Sequence, residues 1–149
     1  MKNILTTCAC IGLLVAVALP AQARDDRLMM PIDAAMHNPE AQGKLDGGIR
    51  YYFGDQKTPK VLKRLGTDSS NKKTNAFGKS DEKACQWAFL SAMLSLEQRA
   101  RELGANAVIH IVSNYKKVEM SSETQYECHA GALMAGVALK GDFVRIVDK

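Results

Sequence analysis

The sequence predicts an α+β domain in which one amphipathic helix packs on a small antiparallel-rich sheet, in the order β-α-β-β-β. Three observations predict it. Residues 81–103 carry a helical apolar stripe between a capping serine and a glycine. The chain beyond them is a series of β-branched and aromatic runs divided by polar turns. The length of 149 residues suits one domain with a modest core.

The elements follow in chain order. Met1-Lys2-Asn3, an apolar run from Ile4 to Leu19 and the ending Pro20-Ala21-Gln22-Ala23 have the three parts of a cleavable secretory signal, which predicts a signal peptide over 1–23. The run is shorter than the roughly 20 residues that span a bilayer, so no membrane anchor is expected. Nearly all of the apolar run follows Cys8, so Cys8 and Cys10 read as part of the signal and not as lipidation sites. Residues 24–44 hold no long period and read as a lead-in segment, partly packed through Leu28, Met29, Met30 and Ile32. From residue 45 to 149 the chain reads as a single domain. Ile49, Tyr51 and Phe53 alternate with Arg50 and Tyr52 in a first strand over 45–53. Residues 56–79 place lysines among Ser, Thr, Asn and Gly, and predict a basic loop.

Ser80 is a good N-cap, and Asp81 and Glu82 put negative charge on the first helical turn. Cys85, Phe89, Ala92, Leu96, Ala100 and Leu103 then recur at spacings of three and four, and Gly104 ends the helix. Ala107–Tyr115 predicts a strand, 116–122 a polar connection, and Thr124–Ala130 a further strand. Ala132–Lys140 continues or renews it. Gly141-Asp142 predicts a turn into a short last strand, Phe143–Val147.

Export bounds the chemistry. The formal net charge is +4, one lower once Lys2 leaves with the signal, too little for an electrostatic nucleic-acid interface. Of the four cysteines, Cys85 and Cys128 remain, and in an oxidising compartment they predict one disulfide. With both thiols bonded, no Cys–His nucleophile is expected, and no serine lies in a Gly-x-Ser-x-Gly turn. No catalytic residue and no cofactor are expected. The scattered methionines read as core filling. Among the histidines, His129 adjoins Cys128 and so points to the other face of its strand, while His110 on a neighbouring strand could approach it. His110 and His129 are the residues of an alternative metal-binding reading.

Leu103-Gly104-Ala105-Asn106-Ala107-Val108 and the small-residue strand Gly131–Leu139 resemble the YbjQ-like superfamily, above all its secreted branch around the envelope-stress sensor RcsF. The resemblance covers residues 80–140. It implies an α+β fold and a Cys85–Cys128 strap, and, from the rings formed by cytoplasmic members, homo-oligomerisation. Some relatives carry heavy-metal-binding or excinuclease ATPase labels. The second fails on the residues, since Val137 and Ala138 stand where a phosphate loop needs Lys and Ser or Thr after Gly131 and Gly136, so no ATP is expected. The function expected is that of a periplasmic, non-catalytic domain acting through contact with an envelope protein, in envelope homeostasis or stress sensing. The alternative is a periplasmic metal-binding oligomer.

Overall fold

Residues 134–146, expected as two strands around a turn, form one unbroken strand on which the whole sheet is assembled. The computed structural model describes residues 23–148, so the expected signal peptide lies, but for Ala23, outside the described residues. The elements are β1 (Asp26–Pro31), α1 (Ile32–Met36), α2 (Pro39–Gln42), β2 (Arg50–Phe53), β3 (Val61–Asn75), α3 (Asp81–Leu103), β4 (Ala107–Tyr115), β5 (Val118–Met120), β6 (Gln125–Ala130) and β7 (Met134–Ile146). The class is mixed α and β, with one long helix on a mostly antiparallel sheet of seven strands. The sheet is therefore larger than the small one expected, and the order β-α-β-β-β gives way to one with strands on both sides of α1 and α2.

β7 organises the sheet by using both of its edges. One edge pairs with β3 along its length, from Val61↔Ile146 to Asn75↔Met134. The other is shared, by β6 at Ala135 and Gly136 and by β4 from Leu139 to Val144. The sheet forks there. β6 continues to β1 on one branch, and β4 carries β5 and the parallel strand β2 on the other. The lead-in segment is thus structural, since β1 pairs with β6 over its six residues. The basic loop is mostly the strand β3, whose polar composition is that of a sheet edge and not of a loop.

A bulge explains the misplaced turn. His110 has φ 49°, and the register of β4 shifts by one residue against both β2 and β7 at that point. An inserted residue exchanges the two faces of a strand. Val108 before the bulge and Ile111 after it therefore reach the same core. They close over Gly141, where a Cβ would stand 2.6 Å from Val108 Cγ1. Gly141 marks a close approach inside β7, not a turn.

Helix α3 forms as its sequence requires. The Ser80 hydroxyl accepts from the Lys83 N–H, and Gly104 closes the helix in the left-handed region at φ 72°. Its stripe of Cys85, Phe89, Met93 and Leu96 is buried against Tyr126 and Cys128 of β6 and Val137, Leu139 and Phe143 of β7. Cys85 and Cys128 are disulfide-bonded with their Cα atoms 5.8 Å apart, joining the first helical turn to the sheet. Glu97, also buried on α3, accepts hydrogen bonds from the Tyr51 hydroxyl and from Arg101, which clamps the helix to β2. Burial, reinforced by the bond to Glu97, pushes the Tyr51 hydroxyl far above its ordinary pKa. Among the described residues no helix covers the other face of the sheet, where a second, smaller cluster is formed by Ala107, Ile109, Val144 and Ile146. Among the described residues no helix is long and apolar enough to cross a membrane.

Candidate functional site

The fork between β4 and β6 gathers a polar cluster on the open face. Alternation along β6 sends Tyr126 and Cys128 into the core, which leaves Glu127 and His129 on the open side. Across the fork the Ser113 hydroxyl accepts from the Glu127 backbone N–H at 2.8 Å, which supplies a partner where the ladder is interrupted. Two residues further, Tyr115 lies flat on His129, with ring centroids 3.4 Å apart and planes 11° from parallel. The two-residue turn beyond it, Lys116-Lys117, has both φ angles positive and holds the Lys116 ammonium 5.2 Å above the Tyr115 ring.

His129 stands between two carboxylates. Nε2 is 2.6 Å from Glu127 and Nδ1 is 3.0 Å from Asp25. Glu127 also accepts from Arg27 of β1 at 2.9 Å. Burial by itself would raise the Glu127 carboxyl, but the hydrogen bonds from His129 and Arg27 outweigh it and hold the group below the ordinary carboxylate range. Each ring nitrogen is engaged and one ring face is covered by Tyr115, so His129 works here as a fixed hub between β1, β4 and β6.

Beside the hub, a groove of about 350 Å³ runs along β7 between Lys73, His129 and the turn 131–134. That turn is closed by a 2.8 Å bond from the Gly131 N–H to the Met134 carbonyl, and it lifts Leu133 and Met134 into solvent. A second turn lies against it. The Ala76 N–H donates to the Leu133 carbonyl at 2.8 Å, bringing Phe77, 73% exposed, to the same end of the sheet. Phe77, Leu133 and Met134 are half of the large exposed hydrophobic side chains among the described residues. Lys73 lines the groove, Lys72 and Lys83 lie on the adjoining ends of β3 and α3, and Lys79, in the connection between them, donates to the Asn75 carbonyl at 2.9 Å.

The structure separates the two histidines of the metal reading. His110 faces Asp142 at 3.3 Å, whereas His129 lies beside Gly136 across the β6–β7 ladder. Six residues of β7 part those positions, roughly 20 Å at 3.4 Å per residue. No single ion within one copy reaches both. Among the described residues no group of three or more His, Cys, Asp or Glu is arranged to hold a metal ion. Sequence reasoning passed over Glu127, Asp25, Arg27, Tyr115, Phe77 and Leu133. The alternation within Gln125–Ala130 already places Glu127 and His129 on one face, while Asp25, Arg27 and Tyr115 arrive through pairings that no local pattern announces.

No family model, no curated protein and no solved structure matches this chain.

Proposed function

We propose that this chain is an exported, non-catalytic domain of the RcsF/YbjQ-like kind, which acts in the cell envelope through contact with another protein. The observation that carries the reading is the apolar end formed by Phe77, Leu133 and Met134 on two turns that are hydrogen-bonded to each other. Exposed apolar groups held on rigid turns, within a polar surround, are what a protein contact uses. The surround is basic, from Lys72, Lys73, Lys79 and Lys83, so the complementary partner presents an apolar side chain flanked by carboxylates. The disulfide supports export, since such bonds persist in oxidising compartments. The engagement of both His129 nitrogens supports a structural role for that residue over an acid–base one.

The test compares two proteins in capture from envelope extracts, the wild type and a Phe77→Ser, Leu133→Ser variant. Both positions are exposed, so the variant should melt within about 0.5 kcal/mol of the wild type. An envelope protein held by the wild type, released by salt and absent with the variant is the expected result. Equal capture by both, or none by either, overturns the reading.

A further inference from the structure

The chain carries an unpaired strand edge whose sequence matches itself. β3 pairs with β7 on one side only, and no other strand of the described residues covers its outer side. The irregularities of β3 are confined to its first part, ending at Gly66, which has φ 144°. From Gly66 to Asn75 the register against β7 runs without a break, leaving a straight outer edge. An exposed edge of this length is a template for another strand unless something blocks it.

We propose that two copies of this chain join edge to edge through β3, antiparallel about a two-fold axis at Ser70, into one continuous sheet. Residues opposite each other in an antiparallel pair share the same hydrogen-bonding side, so a two-fold axis must pass through a residue and not between two. An axis at Ser70 sets Asp68 opposite Lys72 of the partner subunit and Lys72 opposite Asp68 of the partner subunit. The paired stretch is then Gly66–Thr74, all but the last residue of the unbulged edge. Moving the axis by one residue sets Lys72 against Ser70 or against Gly66, and moving it two residues forward sets Lys72 against itself. Of these registers only the one centred on Ser70 sets each Lys72 against a carboxylate, and charge pairing favours it.

Ser70 supplies an independent observation. It is 5% exposed, and its hydroxyl has no hydrogen-bond partner among the described residues. A buried polar atom without a partner carries a desolvation cost. At the axis, each Ser70 meets Ser70 of the partner subunit, and a change of χ1 lets one hydroxyl donate to the other. Asp68 also lies 3.4 Å from Arg99 of α3, so its carboxylate is already held near the edge. The proposal stands apart from the apolar end at Phe77 and Leu133, and neither depends on the other.

Sedimentation of the disulfide-bonded protein over a concentration series tests it, with Asp68→Lys, Lys72→Asp and the double swap. Each single variant places like charges opposite each other twice and should weaken the dimer about tenfold. The double swap restores opposite charges and should recover the affinity, although it too breaks the Arg99 contact. Amide exchange within Gly66–Thr74 should slow as concentration rises. A monomer at every concentration, a dimer indifferent to the single variants, or single variants that the swap does not rescue each overturn the proposal. So does an acidic extended peptide that binds β3 of a protein that stays monomeric.

Discussion

The two faces of the sheet are built on opposite principles. Under α3 the contacts are apolar and the cysteines are bonded, while on the open face near the fork the contacts are between charges and aromatic rings. β7 serves both, since its residues alternate between Val137, Leu139 and Phe143 on one side and Gly136, Lys140 and Asp142 on the other. The difference teaches where stability comes from on each side: burial under the helix holds the chain together, and at the fork ion pairs and an aromatic stack join β1, β4 and β6.

The comparison breaks most visibly at the strap. Cys85 and Cys128 are both fully buried and close a loop of 43 residues. In the chain-entropy account, removing such a cross-link lowers the unfolding free energy by about 4 kcal/mol. The Cys85→Ala, Cys128→Ala variant in a urea titration should show this loss. A decrease under about 1 kcal/mol would mean that packing alone secures the helix, so that the two faces differ less than their composition implies.

Two glycines of β7 sharpen it, because they lie on the same strand and on opposite faces. Gly141→Ala drives a Cβ to 2.6 Å from the buried Val108, whose branched side chain has little room to turn. Overpacking of this kind costs about 1–3 kcal/mol. At Gly136 the nearest atom to a new Cβ is Lys73 Cγ at 3.5 Å, an ordinary contact with a flexible chain. There the substitution should be neutral or stabilise by about 0.4–1 kcal/mol through the unfolded state. Thermal melts of the two variants check both signs, and equal losses would show that the open face is as tightly packed as the covered one.

Legibility in the sequence follows the same division. Helix α3 and strand β4 end where period and capping place them, because burial on one side imposes a pattern that composition displays. β3 carries no such pattern, since an edge strand buries little and is selected to be charged, and its Lys, Ser and Asn residues read as a loop. The bulge at His110 is invisible locally, so Gly141 reads as a turn in the sequence although its real constraint is Val108 across the ladder. The site was half legible. Alternation assigns Glu127 and His129 to one face, but Asp25 and Arg27 come from a strand recognisable only once it pairs with β6, and Tyr115 from across a fork.

The smallest effect tests the open face through pH. Glu127 is held below the ordinary carboxylate range: its burial, which opposes this, is outweighed by the bonds from His129 and Arg27. Between the unfolded value, about 4.3, and the lower folded one, the unfolded chain binds more protons than the folded chain. Stability from this group is therefore complete above about pH 4.3 and is lost as pH falls through the folded value. Glu127→Gln should cost on the order of 1 kcal/mol at neutral pH and remove part of the acid-side slope in a series of melts between about pH 5 and 3. Because Gln keeps the shape and one acceptor oxygen, the change isolates the charge that binds His129 to Arg27. An unchanged slope would show that the Asp25 side of the ring, and not Glu127, supplies the electrostatic hold on the fork.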